Sequence, residues 1–119
     1  MEKFIIIGGK RLEGSVRVSG AKNAILPIMA ASLLSERESV IHEVPRLLDV
    51  QVMQEVLEYL GAKIESSGNT LSINGSNVQS LEIAEDLMRR MRASNLVMGA
   101  LLGRFGKVKV AYPGGYAAI

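Results

Sequence analysis

Residues 19–34 read SGAKNAILPIMAASLL, from Ser19 to Leu34. From Ala24 onward the stretch is apolar almost all round, the pattern of a buried helix. Pro27 is its one interruption. A helix that starts near Asn23 places this proline close to the first turn, where its missing N–H does least harm. Strand-like segments lie on both sides. Upstream, Gly14 to Ser19 alternates, with Val16 and Val18 set against Ser15, Arg17 and Ser19, and reads as a half-buried strand. Downstream, Ser39 to Val44 reads as another strand, with Val40, His42 and Val44 on one face and Ile41 on the other, ended by Pro45. A short apolar strand, Phe4 to Ile7, precedes both and closes at Gly8-Gly9.

Beyond Pro45, Asp49 is placed to cap a second helix. Val50, Met53, Val56, Leu57 and Leu60 then recur at helical spacing, and Gly61 is a C-terminal stop. Ala62 to Glu65 and Thr70 to Ile73 pair as a hairpin. Its turn is Ser66-Ser67-Gly68-Asn69, where Gly and Asn tolerate positive φ. Leu87 to Leu102 reads as a third helix, bracketed by Gly103 and Gly106. A strand, Lys107 to Ala111, and the loop Pro113-Gly114-Gly115 follow. The order β-β-α-β-α-β-β-α-β gives a mixed α/β or α+β class.

The sequence also echoes itself. A shift of 68 residues lays Ile28 on Leu96, Leu33-Leu34 on Leu101-Leu102, Val40 on Val108 and Pro45 on Pro113. If the echo is a repeat, one unit runs from about Gly14 to Gly75 and part of a second follows.

Composition removes several classes of function. With 119 residues the chain closes one modest core, burying roughly 65% of its unfolded surface. It has no cysteine, which excludes disulfides, thiolate metal sites and a cysteine nucleophile. Its single histidine, His42, supports neither a histidine metal cluster nor a Ser-His-Asp triad; a strand-edge packing role suits it. A net charge of +2 and 4% aromatic residues give no footprint for nucleic acid. No apolar run approaches the ~18 residues that span a bilayer. The start, Met1-Glu2-Lys3-Phe4-Ile5, lacks a signal-peptide core, so the cytoplasm is the expected compartment.

Two cations stand out by position. Lys22, beside Asn23, sits where the buried helix begins, and a cation there opposes the helix dipole. An anion docked on the free N–H groups would explain it, with Ser19-Gly20-Ala21 letting a ligand approach the backbone. A solvated lysine beside a capping asparagine explains it equally. Among Arg89, Arg90 and Arg92, the first two have helical partners four residues back, Glu85 and Asp86. Arg92 has none, which suits either a carboxylate or phosphate ligand or a distant salt bridge. No P-loop or dinucleotide fingerprint is present.

Taken in order, four motifs carry a resemblance. They are Ser19-Gly20-Ala21-Lys22-Asn23-Ala24, Leu60-Gly61-Ala62-Lys63, Met91-Arg92-Ala93-Ser94 and Pro113-Gly114-Gly115. Together they resemble the N-terminal part of the UDP-N-acetylglucosamine 1-carboxyvinyltransferase family of enolpyruvyl transferases. The resemblance runs over essentially the whole chain. It implies an inside-out α/β (α+β) barrel built from βαβαββ repeats, here an incomplete domain. Residues 1–13 would be an opening strand packed with the other domain, 14–75 a first unit, and 76–119 a partial second unit with its loop. It also implies a reaction: the enolpyruvyl group of phosphoenolpyruvate moves to the 3-hydroxyl of UDP-N-acetylglucosamine, releasing phosphate in the first committed step of peptidoglycan synthesis. No metal or organic cofactor is implied, nor any nucleic acid or membrane partner.

Residue by residue, Lys22 matches the family lysine that contacts phosphoenolpyruvate, Asn23 the asparagine that holds substrate, and Arg92 the arginine facing the substrates. Tyr116 departs from the pattern. The family usually has a cysteine there, the proton donor that reacts with fosfomycin; a phenol, with a reference pKa near ~10 against ~8.5, is a poorer match. The related shikimate-pathway branch typically carries Ser or Thr near the lysine, so the Lys22-Asn23 pair favours the UDP-sugar branch. Two readings follow: the N-terminal part of a transferase, inactive alone, or a non-enzymatic truncated paralogue that binds or self-associates. Exposed strand edges in an incomplete array favour self-association in either case.

Overall fold

The computed structural model describes residues 2–79, 83, 85–90 and 94–109. Helix α1 spans Lys22–Ala31 and tightens into a 3-10 turn at Ser32–Leu34. Strand β1 (Glu38–Ile41), helix α2 (Leu48–Tyr59), and strands β2 (Lys63–Ser67) and β3 (Thr70–Asn74) follow. Helices α3 (Glu85–Arg90) and α4 (Ser94–Phe105) complete the order. The fold is therefore a mixed helix-and-sheet layer structure, as the pattern predicts.

The three strands form one antiparallel sheet in the order β1-β3-β2. Ile64 faces Ile73 and Ile41 faces Leu71, so one side of the sheet is apolar. The helices cover that side. Met29 and Leu33 from the first helical stretch, Met53, Leu57 and Leu60 from the second, and Leu101 from α4 are fully buried against Ile73. Each such side chain contributes ~1.5–3 kcal/mol on burial. The residues at helical spacing from Val50 to Leu60 are all in this core. Gly61, at φ +110, ends α2 by adopting a conformation that costs other residues a steric clash.

Several expectations are corrected. Phe4 to Ile7 and Gly14 to Ser19 are not strands; no regular structure occupies residues 2–21. Phe4, Ile5, Ile6 and Ile7 are 78–95% exposed, and a strand needs a neighbour to receive its backbone hydrogen bonds. In β1, Ile41 packs against the core and Val40 is exposed, on opposite faces as expected, and His42 lies beyond the strand. The alternation breaks at Glu43, whose φ of 58 swings Val44 inward. Asp49 does not cap α2: Leu47 occupies that position, without a side-chain cap. The hairpin turn narrows to Gly68-Asn69, and only Gly68 has positive φ.

The expected third helix is seen as α3 and α4, with 91–93 outside the described residues. It runs past Gly103 to Phe105, and Gly106 follows at φ +77. Residues 107–109 form no strand, although the Ile83 N–H donates to the Lys109 carbonyl at 3.4 Å. The rest of that expected strand and the Pro113-Gly114-Gly115-Tyr116 loop lie outside the described residues.

The internal echo recurs in three dimensions. Met29 and Leu33 are fully buried, and so are Val97 and Leu101, their counterparts at the same shift. Ile28 and Leu34 are 49% and 54% exposed, against 37% and 51% for Leu96 and Leu102. The two helices present the same faces to the core and to solvent.

Candidate functional site

The site is built around the first turn of α1. Lys22 and Asn23 are its first two residues, and both are exposed. Ala21 is the N-cap and has no side chain that can accept from the free N–H groups. Ala24 and Ile25 donate to the Ala21 carbonyl, at 3.2 and 3.0 Å. Pro27 is the sixth residue of the helix, deeper than expected, so it cannot return an N–H to the Asn23 carbonyl. The turn thus offers donors, a cation and a carboxamide at one end of a helix whose other face is buried through Ile25, Leu26 and Met29.

The Lys22 ammonium has a partner. Its Nζ lies 2.6 Å from Oδ2 of Asp49, in the first turn of α2. The pair joins the N-terminal ends of two helices. Spacing along the sequence gave no sign of it, because the residues sit on different elements. The expected role of Gly20 is also corrected. A Cβ there would collide with the Glu43 carbonyl, so the glycine admits the chain's own backbone at that place. Glu43 in turn pairs with Arg17.

Beside this turn runs an open groove. One part, of 300 Å³, is lined by Ser19, Gly20, Glu43, Val44, Pro45, Arg46 and Asn69. An adjoining part of 340 Å³ continues past Arg46 to Gln51, Gln54 and Ser66. Arg46 is exposed and borders both parts. No local pattern in the sequence marks it, since a solvated arginine ahead of a helix reads the same.

Other candidates resolve differently. Arg92 and Tyr116 lie outside the described residues. Arg90 engages Glu55 of α2 at 2.8 Å, across helices, where a helical pair with Asp86 was expected. The Nδ1 of His42 is 3.3 Å from the Thr70 hydroxyl, consistent with an edge role. No group of three metal-ligating side chains occurs among the described residues. No described helix is long and apolar enough to cross a membrane.

A family model described as EPSP synthase (3-phosphoshikimate 1-carboxyvinyltransferase) matches residues 6–118. This chain belongs to the EPSP synthase family. Among curated relatives it is 50% identical to UDP-N-acetylglucosamine 1-carboxyvinyltransferase 1 of Symbiobacterium thermophilum over 98% of the chain. It is 51% identical to UDP-N-acetylglucosamine 1-carboxyvinyltransferase 2 of Caldanaerobacter subterraneus over 97% of the chain. The chain spans only 27% and 28% of these two relatives, matching their N-terminal portion. Among solved structures, the enolpyruvyl transferase NikO from Streptomyces tendae superposes with a TM-score of 0.73 at 29% identity. That match covers 89% of this chain and 25% of NikO. Membership in the EPSP synthase family agrees with the mixed α/β class and with an incomplete domain.

Proposed function

We propose that this chain is the N-terminal part of an enolpyruvyl transferase that acts on phosphoenolpyruvate and UDP-N-acetylglucosamine. The observation that carries the reading is the ~50% identity, over nearly the whole chain, to transferases named for that sugar nucleotide. The α1 turn supplies the chemistry. Lys22 and the first-turn N–H groups receive the phosphate or carboxylate of phosphoenolpyruvate, as helix N-termini receive anions. Asn23 orients substrate through its carboxamide, and Arg92 adds a second cation. Donors fixed before the reaction stabilise charge that develops in it.

In the reaction, the sugar 3-hydroxyl adds to C2 of phosphoenolpyruvate while C3 gains a proton. Loss of a proton from C3 and of phosphate from C2 then leaves the enolpyruvyl ether. Tyr116 occupies the position of the usual proton donor. The product belongs to peptidoglycan and cell-wall synthesis in the cytoplasm. The matching exposure of α1 and α4 supports dividing the chain into a unit at 14–75 and a partial unit at 76–119, preceded by an opening segment at 1–13. Alone, the 119 residues self-associate through their open edges and release no phosphate.

The test is a chimera in which these residues replace the matching stretch of the Symbiobacterium thermophilum relative. Phosphate release that needs both substrates and is lost in Lys22→Ala supports the reading. A folded chimera that stays inactive even with Tyr116→Cys overturns it. Tyr116 itself favours a second reading, a non-enzymatic paralogue that binds or self-associates. In that case only the Tyr116→Cys chimera is active.

A further inference from the structure

The Lys22–Asp49 pair has properties that a stabilising salt bridge does not need. Its side chains are 56% and 34% exposed, a setting in which ion pairs add little to stability. Lysine is a compact charge on a flexible four-carbon stem, so at a helix start it would sweep a wide volume. Asp49 is anchored far better. It belongs to α2, whose Val50, Met53, Val56 and Leu57 are buried, and it makes no side-chain cap to its own helix. Its carboxylate is therefore free to hold the ammonium across the gap between the two helix ends. An ammonium has three donors; one on Asp49 leaves two for a ligand.

We propose that Asp49 is a positioning residue: it holds the Lys22 ammonium at the α1 N-terminus in the orientation that receives an anionic ligand. This rests on the reading of Lys22 as a phosphoenolpyruvate ligand. It makes a prediction opposite in sign to simple electrostatics. Removing a negative charge beside an anion site tightens anion binding if the carboxylate only competes for the lysine. Binding weakens if the carboxylate orients the lysine.

The experiment follows the Lys22 Cε–Hε resonance by NMR in the chimera with the Symbiobacterium thermophilum relative, which supplies the rest of the enzyme, assigned through Lys22→Arg, as phosphoenolpyruvate is added. Wild type, Asp49→Asn and Asp49→Glu are compared, with core methyl signals reporting the fold. The expected result has three parts. Lys22 shifts saturably in wild type, Asp49→Asn sharpens its resonance and weakens binding at least fivefold, and Asp49→Glu restores both. Equal or tighter binding by a folded Asp49→Asn overturns the proposal and leaves the phosphoenolpyruvate reading standing. A wild-type Lys22 that ignores phosphoenolpyruvate overturns that reading before any variant is made, and the proposal with it.

Discussion

Arg104, in the last turn of α4, donates to the Gly75 carbonyl at 2.7 Å. The same guanidinium nitrogen reaches the Leu33 carbonyl at 2.9 Å, and the group stacks over Phe105 at 5.0 Å. One side chain thus ties the end of the sheet to the 3-10 turn and to α4. The Gly75 carbonyl also accepts from the Val78 N–H at 3.2 Å, and hydrogen bonds from a charged donor are worth ~1.5–3 kcal/mol each, less where water reaches them. Arg104→Met is expected to lower unfolding stability by about 2 kcal/mol, read from the urea midpoint. An unchanged midpoint would show that water replaces both bonds.

Gly75 is the other half of that contact. A Cβ there would sit 2.7 Å from the Ser35 carbonyl, a collision with backbone. Gly75→Ala is expected to cost about 1–3 kcal/mol, the range for overpacking. Gly99 is the contrast: it lies inside α4 with nothing within 4 Å of an added Cβ. Gly99→Ala is expected to gain about 0.5–1 kcal/mol through helix propensity. The two melting curves should move in opposite directions.

Leu33 and Leu34 are adjacent leucines with opposite fates, one fully buried and one half-exposed. Leu33→Ala is expected to cost about 2–5 kcal/mol, and Leu34→Ala about 1 kcal/mol or less. Similar losses at both positions would mean that the Leu34 face is covered in solution. Such a result would be accompanied by a larger hydrodynamic radius.

Fosfomycin chemistry requires a thiolate, and Tyr116 offers a phenol with a much higher reference pKa. Intact mass spectrometry after incubation with fosfomycin is expected to show an unmodified chain. An adduct mapped to Tyr116 would show that the phenol is activated.

Much of this fold was legible because its signals are local. The apolar run after Lys22, the helical spacing from Val50 to Leu60 and the Gly68-Asn69 turn each act within a few residues, and each appears where expected. The strands predicted at Phe4 to Ile7 and Gly14 to Ser19 failed for the converse reason. Alternation reports a preference for extended backbone, but a strand exists only when another edge accepts its hydrogen bonds. At the site, Lys22 and Asn23 were legible from their unusual place at a helix start. Arg46 was not, because no pattern distinguishes a solvated arginine from one that borders a groove.

By itself the sequence determined which segments are helical, which faces are apolar, the family and the anomalous cation at Lys22. The helices and their apolar faces follow from propensity and periodicity, which neighbouring residues decide among themselves; the family follows from the resemblance that the four ordered motifs carry. Only the tertiary structure decided that Asp49 holds Lys22 and leaves its own helix uncapped. It also decided that Gly20 makes room for Glu43 and that Arg104 joins Leu33 to Gly75. Each of these depends on which elements come to lie side by side. That is settled by the packing of the whole core, where every buried face competes for the same partners.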